Sequence, residues 1–203
     1  MSKVAVSPDW VENVKLFLAL HPEFEKNGPV KIYAPPTPLY RDKMKLFAYL
    51  ITYQAISTKA CKKMWADFES MMKELGHGDV WPPEIVMTLT DDQMKGLSKS
   101  KKNSVRDMAR FLIDKSGVLD ENKGSVDDIV RAVDVPGVGG YTVKQYLWQN
   151  GRMDVSLEED IIFRKGLGRI YGLGSKPTIG ECRKITEKWG PFKSIGTMYC
   201  FLG

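Results

Sequence analysis

Apolar residues recur with the period of an α-helix in segment after segment of this 203-residue chain, and this spacing constrains the fold more than any other feature. The clearest case is residues 59–75, where a broad apolar face is followed by Gly76 and Gly78, residues typical of a helix end. That face is formed by Met64, Trp65, Phe68, Met71, Met72 and Leu75. No segment shows the alternation of apolar and polar residues that a half-buried strand requires. The sequence therefore predicts an all-α protein.

The same spacing predicts the positions of the other helices, at residues 9–20, 44–53, 103–113, from Ser125, and at about 139–149, 161–171, 178–189 and 192–202. Prolines 35, 36 and 38 indicate an irregular connection over residues 27–41. No long polar linker separates the helices, so we expect one domain, residues 1–203, as a two-lobed helical bundle with a cleft between the lobes. We expect lobe one to span about 42–150, with a hairpin at 125–149, and lobe two to combine about 1–41 with 151–203.

The composition excludes several classes of protein. No run reaches the ~18 apolar residues of a membrane span, and the first ten residues do not resemble a signal peptide. Cys61, Cys182 and Cys200 lie far apart without a Cys-x-x-Cys pair, which argues against a structural zinc site, an iron–sulfur cluster or a disulfide framework. We expect a soluble intracellular monomer that makes no membrane contact, located in the nucleus of a eukaryote or in the cytoplasm and nucleoid of a prokaryote.

The net charge of +5 is concentrated near the end of the chain. Residues 141–203 hold 10 Lys and Arg against 6 Asp and Glu, which accounts for +4 of it. This distribution favours an anionic partner such as nucleic acid, although it also fits a charge that serves solubility alone.

The most informative segment is residues 133–144, which combines the end of one helix, a Pro-Gly-Val-Gly turn and the start of another helix. Gly137 and Gly139 let the backbone turn sharply and leave N–H groups exposed at a helix N-terminus, and Gly140 directly after them is expected to bind DNA with them. Such an end attracts phosphate through its unpaired donors and the helix dipole. The alternative interpretation is an ordinary turn between two helices.

This segment resembles the helix-hairpin-helix of the HhH-GPD superfamily of DNA glycosylases. Residues 50–60, 154–164 and 189–194 resemble three further motifs of that superfamily in the expected order, and the last is similar to the 3-methyladenine DNA glycosylase II (alkylpurine) branch. The resemblance implies a monofunctional enzyme that flips an alkylated purine, of the 3-methyladenine or 7-methylguanine type, out of damaged double-stranded DNA. It would hydrolyse the N-glycosidic bond and leave an abasic site.

The resemblance matches Asp160 to the catalytic carboxylate. Asp160 also precedes an apolar helix, where an aspartate is a favoured N-cap. A carboxylate held there can stabilise the positive charge that develops on the sugar, and can orient or deprotonate the attacking water. The alternative interpretation is that Asp160 only caps the helix.

The resemblance also bears on whether the enzyme cleaves the strand. Bifunctional superfamily members carry a nucleophilic lysine two residues after the second hairpin glycine, and here that position is Tyr141, which cannot form a Schiff base. Lys144 lies three residues further on. A glycosylase/AP lyase for oxidised bases that uses Lys144 therefore remains an alternative, and so does a non-enzymatic hairpin module that only binds DNA.

The resemblance assigns the base pocket to Tyr141, Gln145 and Phe201. An aromatic ring at Tyr141 would stack on an electron-poor methylated purine. Gln145 stands where the bacterial enzymes have another aromatic residue. Phe201 matches a pocket aromatic near the C-terminus, and equally fits a core position in the last helix.

The remaining expectations concern DNA contacts and cofactors. Gln54, Ala55 and Ile56 occupy the loop that resembles the one filling the gap left by the flipped base, and Lys144 is expected to contact phosphate together with the glycines of the hairpin. Lys99, Lys101, Lys102, Arg164 and Lys193 are further candidates for phosphate contact. No catalytic cofactor is required, but family hairpins often hold Na⁺ or K⁺ through backbone carbonyls, which correspond here to Val133, Val135 and Val138.

Overall fold

The computed structural model describes residues 8–26, 30–54, 58–119 and 124–202. Helices dominate these ranges, in which the only β-type pairing is the isolated bridge between Val135 and Val138. The predicted all-α class is thus confirmed. The α-helices are α1 (Pro8–Leu20), α2 (Lys43–Thr52), α3 (Thr58–Glu74), α4 (Pro83–Thr88), α5 (Lys99–Lys115), α6 (Val126–Ala132), α7 (Gly140–Gln149), α8 (Ile161–Tyr171), α9 (Ile179–Thr186) and α10 (Lys193–Leu202).

Short 3-10 helices extend this framework at Pro22–Glu25, Ser116–Leu119 and Glu187–Phe192. Two helices differ from the sequence prediction. Helix α5 begins four residues earlier than predicted, because Ser98 caps it by accepting a hydrogen bond from the Lys101 N–H at 3.4 Å. Helix α4 was missed, because its six residues are too few to display a helical period.

The chain divides into two compact units, one formed by residues 38–146 and the other by residues 1–37 with 147–203. In the first unit an aromatic core lies beneath the hairpin. Trp65 stacks on Trp81 with 5.2 Å between ring centroids, and Phe47 stacks on Tyr146 at 4.6 Å. Because Tyr146 belongs to α7, the second stack fixes α7 against α2.

In the second unit Trp189 is the centre of the core. Its buried ring meets the rings of Phe17, Phe24 and Phe163 edge-on at 5.7 to 6.2 Å. A Cβ atom on Gly196 would lie only 2.5 Å from this ring, so glycine lets α10 pack directly on the indole.

Helix α8 approaches α10 even more closely. A Cβ atom on Gly166 would lie 1.9 Å from the Cys200 carbonyl oxygen, so the two backbones touch there. At its C-terminal end, α8 is closed by Gly172 in the left-handed conformation (φ 63°, ψ 37°), and the Leu173 N–H donates to the Gly168 carbonyl at 2.9 Å. Backbone packing at the middle of α8 and the tight cap at its C-terminal end therefore fix the direction of this helix. They thereby also fix the position of Asp160, the residue at its N-terminal cap.

None of the helices in the described ranges combines the length and apolar character needed to cross a membrane.

Candidate active site

The hairpin of residues 125–149 is built from two short helices and a tight turn. Helix α6 begins with a reciprocal capping box, in which the Ser125 hydroxyl accepts from the Asp128 N–H at 3.1 Å and the Asp128 carboxylate accepts from the Ser125 N–H. This confirms Ser125 as the residue that opens the helix. After α6, the Val138 N–H donates to the Val135 carbonyl at 2.9 Å and closes the turn that leads to α7.

The three hairpin glycines have different surroundings. Gly137 has a φ of 79°, and a Cβ atom there would lie 2.1 Å from the Ser104 hydroxyl of α5. A Cβ atom on Gly140 would lie 3.0 Å from a methyl group of Val130, so this glycine lets α6 and α7 pack closely. At Gly139 the φ is outside the left-handed region, and no atom of the described residues lies within 4 Å of a built Cβ.

Gly139 differs from Gly137 and Gly140, because no neighbouring atom in the described part of the chain would contact a Cβ atom built at this position. No steric contact among the described residues requires glycine at this position, which precedes the second helix of the hairpin as its N-cap, where glycine is favoured over alanine. Glycine is also used where a backbone must approach a ligand closely, and a helix N-terminus attracts phosphate. Gly139 therefore leaves open space at the N-terminus of α7.

Gln54 contacts the hairpin directly. Its side-chain amide donates to the Gly137 carbonyl at 3.1 Å and to the Thr142 hydroxyl at 2.8 Å. The main chain of the same segment is bound by Lys101, whose ammonium donates to the carbonyls of Thr52 at 2.6 Å and Gln54 at 2.8 Å. Burial lowers the pKa of Lys101. Gln54 thus anchors the segment that leads into the predicted DNA-penetrating loop, whose residues Ala55 and Ile56 lie outside the described residues.

Tyr141 and Gln145 lie one turn apart on α7 and are both half-buried. The Gln145 amide donates to the Tyr141 hydroxyl at 2.8 Å, which fixes the two side chains relative to each other. Lys144 lies between them in sequence and is also half-buried. Phe201, on α10, packs near Trp148 and Phe163 with 5.6 and 6.4 Å between ring centroids. Phe201 is partly buried against the core and partly exposed, so both interpretations of this residue stay in place.

Asp160 caps α8. Its Oδ1 atom accepts from the N–H groups of Ile162 at 2.6 Å and Phe163 at 3.1 Å, and its backbone is extended (φ −73°, ψ 132°). The residue is half-buried, and the side chains of Ile161 and Ile162 beside it are 51% and 57% exposed. A carboxylate held by two N–H groups beside an exposed apolar surface is suited to face a bound ligand.

Several basic residues that were candidates for phosphate contact make bonds within the protein instead. Lys101 binds the two carbonyls described above, and the Lys102 ammonium donates to the Asp91 carbonyl at 2.7 Å. The Arg164 guanidinium faces inward, where one nitrogen donates to the Pro177 carbonyl at 3.4 Å and Nε is buried. These contacts make Lys101, Lys102 and Arg164 structural side chains in this conformation.

Glu158 is an acidic residue with only 4% of its surface exposed, and its carboxylate accepts a hydrogen bond from the hydroxyl of Thr186, which is far away in the sequence. No spacing rule identifies it, although an acidic residue within the buried run 155–158 is an unusual position for a carboxylate. Among the residues that the structure describes, no group of three or more His, Cys, Asp or Glu side chains could hold a metal ion.

A curated relative shares part of this sequence. The chain is 25% identical over 108 residues to the alkylbase DNA glycosidase-like protein mag2 of Schizosaccharomyces pombe, and the match covers 51% of each protein. The chain thus spans about half the length of the curated relative that it matches. No family model matches the chain.

Solved structures match over much more of the chain. The 3-methyladenine DNA glycosylase of S. pombe in complex with abasic DNA has a TM-score of 0.69 at 22% identity, over 93% of this chain and 89% of that one. The DNA-3-methyladenine glycosidase of Bacillus halodurans has a TM-score of 0.71 at 23% identity, over 97% and 88%. The 3-methyladenine DNA glycosylase of Archaeoglobus fulgidus has a TM-score of 0.63 at 16% identity, over 98% and 76%. These matches show that the chain shares the fold of these three solved 3-methyladenine DNA glycosylases.

Proposed function

We propose that the protein is a monofunctional DNA glycosylase that excises alkylated purines from double-stranded DNA. The observation that carries this proposal is the geometry of Asp160, a half-buried carboxylate held by two helix N–H groups at the N-terminus of α8. The shared fold and the name of the curated relative, an alkylbase DNA glycosidase-like protein, support the choice of substrate.

DNA would be bound through the hairpin. The backbone at Gly137, Gly139 and Gly140 would contact a phosphate, since Gly139 can be approached closely and the N-terminus of α7 attracts an anion. Lys144 would add a charged contact. The loop with Gln54, Ala55 and Ile56 would fill the gap that the flipped base leaves. Such an enzyme acts on genomic DNA, in the nucleus of a eukaryote or the nucleoid of a prokaryote, and we propose that it does so as a monomer.

A monovalent cation at the hairpin is a further part of the proposal. The carbonyls of Val133, Val135 and Val138 would bind Na⁺ or K⁺. Although the Val135 carbonyl already accepts from the Val138 N–H at 2.9 Å, a carbonyl oxygen has a second lone pair. The ion would have a structural role, and the reaction itself needs no cofactor.

The flipped base would be recognised by Tyr141, Gln145 and Phe201. A methylated purine carries positive charge, so it stacks favourably on an aromatic face. The hydrogen bond from Gln145 to Tyr141 orients the phenol ring for such stacking. A cationic purine is also a good leaving group, and this removes the need for a general acid that protonates it.

Asp160 would act on the sugar. As the C1′–N bond breaks, its electron pair leaves with the purine and positive charge develops on the sugar ring. A nearby carboxylate stabilises that charge and accepts hydrogen bonds or a proton from the water that attacks C1′. The products are the free base and an abasic site in an intact strand.

The test is release of methylated purines from alkylated duplex DNA by wild-type protein and by Asp160→Asn. Asparagine is also a good N-cap, so the variant should keep its fold. We expect release to fall by at least about 100-fold, the lower range of what a positioned acid–base group contributes. Strand breaks should appear only after hot alkali.

Two outcomes would favour the alternatives. Breaks before alkali, together with borohydride trapping that Lys144→Ala abolishes, would point to a glycosylase/AP lyase. DNA binding without base release from alkylated, oxidised or deaminated substrates would point to a non-enzymatic binding module.

A further inference from the structure

A buried carboxylate lies two residues before Asp160, in the segment that connects α7 to α8. Glu158 is 4% exposed, and the two residues that donate hydrogen bonds to it, Ser156 and Thr186, are 5% and 1% exposed. Withdrawing a carboxylate from water is costly unless its oxygens are well bonded, and an apolar side chain of similar size would avoid that cost. The presence of an acid here therefore calls for an explanation.

The bonds of Glu158 connect two parts of the unit. The Ser156 hydroxyl makes a short hydrogen bond to Oε1, and the Thr186 hydroxyl donates to the same oxygen at 3.0 Å. Thr186 is the last residue of α9, whereas Ser156 and Glu158 belong to the segment that enters α8. The carboxylate thus attaches the entrance of α8 to the end of α9.

The same segment is held on both sides of Glu158. The Leu157 carbonyl accepts from the Asp160 N–H at 2.9 Å, and the Leu157 side chain is fully buried. The carbonyl of Val155 accepts from the Thr197 hydroxyl at 3.2 Å, and the Val155 N–H donates to the Ser194 hydroxyl oxygen at 3.3 Å. Glu158 therefore lies between Val155, whose backbone is hydrogen-bonded to α10, and the turn that ends in Asp160.

Two charged groups, Glu158 and Arg164 of α8, influence the buried thiol of Cys182. Burial raises the pKa of the Cys182 thiol to about 11, while the positive charge of Arg164 opposes this shift and the negative charge of Glu158 adds to it. Arg164 lies one turn after Asp160 on α8 and points inward. The charges of Arg164 and Glu158 thus act on the pKa of the same buried thiol in opposite directions.

We propose that Glu158 is a positioning residue for Asp160. By fixing the turn of residues 157–160 to the end of α9, it holds the Asp160 carboxylate in the orientation that its two N–H partners define. This inference rests on the proposed function, because it gives Asp160 a reaction to be positioned for. A displacement of about 1 Å in a reacting group can cost about 100-fold in rate, so a link of this kind is expected to matter even though it never touches DNA.

The activity test compares three variants under single-turnover conditions. Glu158→Ala and Thr186→Val should each lower the rate of base release about 10- to 100-fold, while the Kd for duplex DNA stays within about twofold. Glu158→Gln keeps the shape and an oxygen that accepts both hydroxyls, so it should recover most of the rate that Glu158→Ala loses. A loss of DNA affinity equal to the loss of rate would overturn the proposal.

A second readout does not depend on activity. Amide hydrogen exchange at Ile162 and Phe163 reports whether Asp160 stays in its capping position, and we expect it to accelerate in Glu158→Ala and Thr186→Val. The amide of Lys45 is the control, since the Asp42 carboxylate caps it in the same way at 2.7 Å in the other unit. Its exchange should not change.

The two readouts keep failure of this proposal distinct from failure of the proposed function. If wild-type protein releases no base, the proposed activity is wrong, and the exchange data alone decide whether Glu158 holds Asp160. Unchanged exchange at Ile162 and Phe163 in both variants would overturn the proposal whatever the activity. So would a uniform rise at Lys45, Ile162 and Phe163 alike, because that would indicate general destabilisation.

Discussion

Gly137 and Gly139 are two residues apart, yet the fold requires glycine only at Gly137. Its positive φ and its approach to Ser104 both exclude a side chain. We expect Gly137→Ala to lower the free energy of unfolding by about 1 to 3 kcal/mol, the usual cost of a non-glycine residue in a left-handed conformation. Gly139→Ala should lower it by about 1 kcal/mol or less, because alanine is a poorer N-cap than glycine but no side-chain contact is lost. Urea denaturation of both variants tests this pair.

A second effect of Gly139→Ala concerns DNA binding per folded molecule. Under the proposed function, a methyl group at Gly139 intrudes where the phosphate would lie, so Gly139→Ala should weaken duplex binding by about tenfold, which corresponds to about 1.4 kcal/mol. Fluorescence anisotropy with a labelled duplex measures this. Equal affinity of Gly139→Ala and wild type would remove the ligand-based explanation for glycine at this position.

At the scale of elements, the loop between α7 and α8 contains an ion pair that makes stability depend on pH. Arg152 donates to Asp154 through Nε at 2.6 Å and through a second nitrogen at 3.1 Å, and these bonds hold the pKa of the Asp154 carboxyl below its ordinary value. A lowered folded-state pKa stabilises the protein fully above the unfolded-state pKa of about 3.9, and this contribution is lost as pH falls through the folded-state value.

We therefore expect Asp154→Asn to be destabilising near neutral pH and to lose this effect in acid. The difference should be about 1 kcal/mol or less, because Asp154 is partly exposed to solvent. Urea denaturation of both proteins from about pH 6 to pH 3 measures the difference directly. A difference that stays constant over this range would show that the side chain contributes packing alone.

Among the elements, the sequence predicted the helices whose apolar residues recur with a helical period and the caps whose residues are neighbours in the chain. The helices of the second unit and the capping of α6 and α8 could be anticipated because their signals lie within a few neighbouring residues. Helix α4 could not, since six residues after Pro82 show no helical period. Contacts between distant segments were also missed. Gln54 reaches Gly137 and Thr142 across more than 80 residues, and the burial of Glu158 depends on Thr186; neither contact has a local sequence pattern.

At the scale of the whole molecule, three of the ten basic residues in the last third of the chain line one surface pocket. A pocket of about 620 Å³ lies at the C-terminal end of α8, the end opposite Asp160. It is lined by Lys165, Gly168, Arg169, Gly172, Gly174, Ser175 and Lys176. The lining residues that belong to α8 or its C-cap run from Lys165 to Gly172, so the pocket follows the C-terminal half of the helix.

The basic pocket leads to an expectation for DNA binding that rests on the proposed function. If its three cations contact phosphates, each contact releases about 0.9 counterion, so the triple variant Lys165→Ala, Arg169→Ala, Lys176→Ala should have a salt slope shallower by about 2 to 3 than wild type. The slope is that of log K against log salt concentration, measured by anisotropy between about 50 and 200 mM salt.

A control must remove the same net charge from elsewhere on the same unit. The control is the triple variant Lys15→Ala, Lys26→Ala, Lys184→Ala, which removes three positive charges at exposed lysines outside the pocket. The control should leave the slope nearly unchanged, since charges beyond about 10 Å of the DNA are largely screened at 0.1 M salt. Equal slopes for the two triple variants would mean that net charge alone attracts the duplex, whereas a shallower slope for the pocket variant alone would extend the DNA-binding surface to the far end of the helix that Asp160 caps.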